Sequence, residues 1–228
     1  AASLPEKTFK DMFVDGASVL FTPEGALGLP VTADPMVLFY NRSLLSKHAI
    51  VNPPTTWDEV TAVAPILTVT QNNRIIESGI ALGTPEIPNA KDIIMAIVAQ
   101  LGQAPVVRIP QQGGQTYFSV QVNEPVTEGS EVRPLSTVNT FYTQFGDSAK
   151  STYVWNSSLG NAVDVFVGEK LAMYIGYSGE YATLRARNPR ADFGMAILPQ
   201  ARGQNTFVTG LNMYAIATLK SSKNMSAA

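Results

Sequence analysis

The segment Phe166–Pro189, FVGEKLAMYIGYSGEYATLRARNP, decides the fold. Its centre, Leu171–Ile175, is an unbroken apolar run after a helix that ends at Gly168, and such a run reads as a strand covered on both faces. The turn Gly176-Tyr177-Ser178-Gly179 then leads into a second helix over 180–187. A buried strand between two helices is the unit of a layered α/β protein. In open α/β sheets, ligands bind beyond the carboxyl ends of the strands. Here that end carries Tyr177, Ser178, Glu180 and Tyr181 together.

Working outward, Pro35–Tyr40 (PMVLFY) is a second buried run, and 78–82, 193–198 and 213–218 read as further strands. Strands 35–40, 78–82, 171–176 and 193–198 are expected in one sheet with helices on both faces. Thr56-Trp57-Asp58-Glu59 is a capping box that starts a helix, and Pro65 should kink or end it. Asn89 is placed to cap a helix running to Leu101, with Gly102 beyond its end. Val138, Phe141, Tyr142 and Phe145 fall at i, i+3, i+4 and i+7, one helical stripe stopped by Gly146. Val106–Gln121 reads as a β-hairpin about Gln111-Gln112-Gly113-Gly114, inserted on this plan and followed by a polar linker over 123–133. The fold class is therefore α/β: a mixed sheet, helices on both faces and an inserted β-hairpin.

The composition narrows the function. Of 228 residues, 45% are hydrophobic and 15% charged, a globular balance, and the net charge of −2 provides no footprint for nucleic acid. No apolar run is long enough to span a bilayer as a helix. Cysteine is absent and His48 is the sole histidine, which removes thiolate metal sites and leaves any Ser-His-Asp triad dependent on a residue beside Lys47. There is no phosphate-binding GxxxxGK[ST] loop and no strand-linked GxGxxG. Asp34, Glu86 and Glu180 are the carboxylates that could pair for glycoside chemistry, but no spacing rule brings them together. No catalytic role, metal or cofactor is expected.

The strand ends suit binding instead. Thr84-Pro85-Glu86 follows strand 78–82 as Tyr177–Tyr181 follows strand 171–176, and each stretch precedes a helix N-terminus with free N–H groups. Ser178 also reads as a plain N-cap. Tyrosine rings stack on sugars but equally fill half-buried surfaces. Trp155, in a loop before a helix, is either a ligand platform or an anchor, whereas Trp57, in a first helical turn, reads as packing. Thr84, Glu86, Trp155, Tyr177, Ser178, Glu180 and Tyr181 are expected to gather on one face.

Three ordered segments carry a family resemblance. LPVTADPMVLFYN (29–41) with PPTTWDE (53–59), FVGEKLAMYIG (166–176) and DFGMAILP (192–199) resemble the motifs of extracellular solute-binding proteins, the binding components of ABC importers, in the class of maltose-binding protein. The match covers about residues 28–228. It implies a periplasmic-binding-protein-like fold and a two-lobed clamp that closes on a small solute in an interlobe cleft without chemistry. By position, Asp34 matches a hinge-side carboxylate that contacts sugar, and Glu86 lies in the loop that supplies a second-lobe contact. The family's stacking tryptophan falls at Gly179, a departure that leaves Tyr177 or Tyr181 to replace it. Family members are longer, so residues 1–33 are expected to be a remnant of the first lobe, 34–208 the second lobe, and 209–228 the return through the hinge. The resemblance implies a small-molecule solute, a sugar, and a transporter permease as partners, a monomer, no nucleic acid, and an extracytoplasmic, lipid-anchored location. A receptor for peptide or another polar nutrient, or a protein-contacting domain with a vestigial cleft, are the alternatives.

Overall fold

A computed structural model describes residues 6–22, 25–102, 106–110, 116–120, 134–203, 207–219 and 221–222, with the backbone alone for 106–110 and 116–120. The elements in chain order are α1 (Glu6–Lys10), β1 (Phe21–Thr22), β2 (Gly25–Ala26), β3 (Leu29–Asn41), α2 (Arg42–Lys47), α3 (Trp57–Ile66), β4 (Val69–Gln71), β5 (Arg74–Ile80), α4 (Ala90–Gln100), β6 (Val106–Pro110), β7 (Thr116–Val120), α5 (Pro134–Thr143), α6 (Ala162–Val167), β8 (Leu171–Tyr177), α7 (Glu180–Arg187), β9 (Phe193–Ile197) and β10 (Leu211–Ile216). The chain divides into two compact units, Met36–Gly210 and a smaller one made of Ala1–Pro35 and Leu211–Ala228.

In the larger unit the sheet order is β9–β3–β8–β5–β4. Strand β8 pairs antiparallel with β3, from Met36↔Tyr177 to Tyr40↔Met173, and parallel with β5 through Ser78↔Leu171 and Ile80↔Met173. The expected strands therefore do share one mixed sheet, with helices on both of its faces. Residues Leu171–Ile175 are at most 1% exposed, which is why this strand lacks the alternation of a half-solvated one. Strand alternation sends Tyr174 to one face, where it packs with Phe39, Phe166 and Phe193 under α6. It sends Tyr177 to the other face, towards α4.

Local signals explain most elements. The Thr56–Glu59 capping box forms as expected, and α3 ends one residue after Pro65. Val138, Tyr142 and Phe145 form the buried stripe of α5 and the 3-10 turn that follows it. Strand β5 begins at Arg74, earlier than 78, because it forms a hairpin with β4 that the sequence reading did not contain. The connecting Asn72 and Asn73 both have positive φ, 50° and 58°, as a tight two-residue hairpin turn requires. The 106–121 hairpin is present as β6–β7, with Val106 opposite Val120; its 111–115 turn and the 123–133 linker lie outside the described residues.

Two buried connections lock the larger unit. Gln100, fully buried at the end of α4, accepts from Trp57 Nε1 (2.7 Å) and Ala201 N (3.1 Å) and donates to the carbonyls of Pro199 and Val208. Gly79 in β5 lies against the end of α3, so that a Cβ there would fall 2.0 Å from Ala64 O. The smaller unit pairs the first part of β3 with β10, Leu211↔Pro35 to Ile216↔Leu29. It buries little: among its described hydrophobic residues Ala17 alone is fully buried, while Met12, Val14, Val19, Tyr214 and Ile216 are all more than half exposed.

Gly79→Ala is expected to destabilise the protein by about 3 kcal/mol, the upper range for forced overpacking, because the obstructing atom is backbone. Urea denaturation checks this. A change below about 0.5 kcal/mol, the size of an ordinary surface substitution, would show that α3 and β5 do not approach this closely.

Candidate functional site

Parallel pairing brings the carboxyl ends of β5 and β8 to the same edge of the sheet. Beyond β5, the chain turns at Gly83 (φ +106°), where a Cβ would lie 2.1 Å from Gly146 N, so both the conformation and the contact require glycine. The Tyr142 hydroxyl donates to Thr84 O (2.9 Å) and fixes the turn. Thr84 Oγ1 is buried without a hydrogen-bond partner, and Glu86 is exposed. The chain then enters α4 at Asn89.

Beyond β8, Glu180 folds back from the first turn of α7. Its Oε1 accepts from Tyr177 N (2.8 Å) and from Asn89 Nδ2 (3.5 Å), and its Oε2 accepts from the Tyr174 hydroxyl (2.8 Å). Gly176 makes room for this carboxylate, since a Cβ there would fall 2.6 Å from Oε1. The Tyr177 hydroxyl donates to Asp92 Oδ2 (3.2 Å) in the first turn of α4. Two loops far apart in sequence are thus joined by hydrogen bonds at one edge. Tyr177 and Asp92 bring a hydroxyl and a carboxylate to that edge, and Lys91 pairs with Asp92 at 3.5 Å.

The sequence-selected residues separate into three groups. Tyr177, Glu180 and the 84–92 loop come together, and Ser178 sits in their turn, its carbonyl accepting from Tyr181 N (3.1 Å). Tyr181 diverges: its ring meets Phe193 edge-on at 5.5 Å, and the Arg185 guanidinium lies over both rings, at 5.6 and 4.2 Å. Phe193 belongs to the cluster around Tyr174, on the face opposite Tyr177. Trp155 is only 2% exposed, so it is the anchor and not a platform; its backbone N–H and that of Val154 both donate to Phe145 O, and Ser78 Oγ donates to Val154 O. Asp34 lies in the smaller unit, opposite Asn212.

Two capping expectations are also corrected. The cap position of α7 is Gly179, one residue past Ser178. Asn89 occupies the cap position of α4 in a left-handed conformation (φ 62°), which aims its amide at Glu180 and away from its own helix. The sequence reading missed Tyr174, Gly176, Asn89 and Asp92 as parts of this arrangement. One signal was available for Tyr174: a hydroxyl within a wholly buried strand needs a partner, and Glu180 was the nearby acceptor in the chain.

This mixed sheet with helices on both faces is the architecture of a periplasmic-binding-protein lobe. The chain belongs to the bacterial extracellular solute-binding proteins, whose family model matches residues 1–228. Among solved structures it resembles an ABC transporter solute-binding protein from Thermotoga lettingae bound with α-D-tagatose, at 19% identity and a TM-score of 0.63, covering 97% of this chain and 52% of that one. It also resembles a cyclo/maltodextrin-binding protein complexed with maltotetraose (18% identity, TM-score 0.60, 93% and 49% covered) and an ABC substrate-binding protein from Listeria monocytogenes in complex with cycloalternan (16%, 0.56, 97% and 49%). The chain spans about half the length of each. No curated protein matches it by sequence. Among the described residues, no helix is long and apolar enough to cross a membrane, and no cluster of His, Cys, Asp or Glu has the form of a metal site.

Burial raises the pKa of both Tyr174 and Tyr142 above the ordinary tyrosine value of 10.0; the neighbouring charges of Glu180 and Glu86, respectively, raise them further. The folded state thus favours the neutral phenols. Their contribution to stability is fully present below pH 10 and is lost as pH rises through the raised folded values. Unfolding free energy is therefore expected to fall with increasing pH above about 10, with a shallower fall in Tyr174→Phe. Denaturation at stepped pH, with phenolate absorbance recorded in parallel, checks this; equal slopes in both proteins would refute it.

Proposed function

We propose that residues 36–210 form one wall of a solute-binding clamp that serves an ABC importer, with a carbohydrate or similar polar solute held against the edge beyond β5 and β8. The observation that carries this reading is the convergence of the Thr84–Asp92 and Tyr177–Glu180 loops at the edge where α/β sheets bind ligands. Tyr177 offers a ring face and a hydroxyl, while Asp92 and Glu86 offer acceptors for solute hydroxyls. The sugars bound by the structural neighbours support a carbohydrate. Ser178 lies in the turn at this edge, whereas Tyr181 packs against Phe193 and takes no part in it.

In this reading the smaller unit belongs to a first lobe, and its exposed apolar residues are covered by the rest of that lobe in a complete clamp. The protein acts outside the cytoplasm on a lipid anchor, as a monomer. It hands solute to a permease, carries no catalytic group and binds no nucleic acid.

Clamps of this kind gain affinity by hinge closure, which buries the solute between two walls. One wall covers about half of a ligand, so a micromolar affinity of about −8 kcal/mol should fall to about −4, a millimolar one. The 228-residue chain is therefore expected to fold yet bind a neutral oligosaccharide only at millimolar concentration, with Tyr177→Phe weaker by about fivefold. A protein bearing a complete first lobe should bind at micromolar concentration. Isothermal titration of both decides it; equal micromolar affinity would mean that the site lies wholly within residues 36–210.

A further inference from the structure

Glu180 has the composition of a solute contact but the geometry of something else. Both carboxylate oxygens already hold protein donors: Tyr177 N and Asn89 Nδ2 on Oε1, the Tyr174 hydroxyl on Oε2. Three donors use most of the four or so acceptor positions of a carboxylate. Tyr174 is 1% exposed and out of a solute's reach, so its hydroxyl serves only to hold the carboxylate. Gly176 keeps the space that the carboxylate occupies. What all of these groups fix is one residue, Tyr177, whose backbone is held by Glu180 and whose hydroxyl reaches Asp92.

From this we infer that Glu180 and Tyr174 are positioning residues for solute recognition: they set Tyr177 at the edge and hold it against α4, without touching the solute. The inference rests on the proposed solute-binding role of Tyr177. It assigns the negative charge of Glu180 to the protein's own donors, leaving Tyr177 and Asp92 to meet the ligand. Four substitutions separate positioning from contact. Glu180→Ala removes the acceptor. Glu180→Gln keeps an oxygen for Tyr177 N and an amide that can pair with Tyr174. Tyr174→Phe removes the buried donor, and Gly176→Ala displaces the carboxylate.

The test is amide NMR of the 228-residue chain, read at the Tyr177 resonance, followed by titration with mannobiose. The Tyr177 amide proton is expected downfield and protected in the native chain and in Glu180→Gln, and shifted upfield with faster exchange in Glu180→Ala, Tyr174→Phe and Gly176→Ala. Mannobiose affinity should fall about tenfold in Glu180→Ala and about fivefold in Tyr174→Phe, and Glu180→Gln should stay within about threefold of native. The double variant Tyr174→Phe/Glu180→Ala should be no weaker than Glu180→Ala alone, because both act through one connection. An unmoved Tyr177 amide in Glu180→Ala and Tyr174→Phe overturns the inference. So does a Glu180→Gln loss equal to that of Glu180→Ala with Tyr174→Phe at native affinity, the pattern of a direct charge contact. If the native chain shows no mannobiose-dependent shift, the amide response alone decides the positioning role, and the missing titration counts against the carbohydrate reading.

Discussion

The burial of β8 on both faces constrains everything around it. A strand between two helical layers cannot carry a charge along its length, because an unpaired ion there would cost several kcal/mol even after relaxation. Polar residues are thereby forced to its ends, Glu169 and Lys170 before it and Tyr177 to Glu180 after it. The one polar atom admitted within the run, the Tyr174 hydroxyl, lies close enough to the carboxyl end to reach Glu180. Parallel pairing with β5 then adds a second polar loop to the same edge. The candidate site is thus where a buried strand can afford to become polar.

Helix α4 is fixed by this arrangement at both ends. Its N-terminus joins the β8 turn through Asn89 and Asp92, and its C-terminus is held by Gln100 against Trp57 and the 199–208 segment. Eleven residues at about 1.5 Å each make a rod of roughly 16 Å between the two attachments. Such a rod resists tilting more than a helix held by apolar packing alone, since hydrogen bonds to charged or buried groups are directional and lost over small displacements. The loops carrying Thr84 and Glu86 inherit that rigidity through the Gly83–Gly146 contact and the Tyr142 hydroxyl.

Much of this was legible in the sequence where the signal was local or periodic. The apolar runs of β3 and β8, the Thr56–Glu59 box and the Val138–Phe145 stripe each correspond to one physical preference with no competitor. The β4–β5 hairpin was missed because β5 has no clean alternation, although Asn72-Asn73 is a turn signature. Asn89 and Ser178 were misplaced as caps, and Trp155 was left open between platform and anchor, for a different reason. Each is a residue whose local preference, to cap or to offer a ring, lost to a tertiary partner: Asn89 to Glu180, the α7 cap to the fold-back of that same glutamate, and Trp155 to the core beside Phe145. No local pattern encodes a partner some ninety residues away in the chain.

The same comparison changes what an acidic residue at a strand end signifies. A carboxylate beside an aromatic turn reads as a ligand group because charge in a sparsely charged chain demands an explanation. Here the explanation is internal: Glu180 satisfies a backbone N–H that the end of β8 leaves unpaired and a tyrosine that the core cannot leave unpaired. A site built this way is organised before any solute arrives, so less ordering cost falls on binding. On the proposed reading, recognition falls to the Asp92 carboxylate and the half-buried Tyr177 ring, which Tyr174 and Glu180 position.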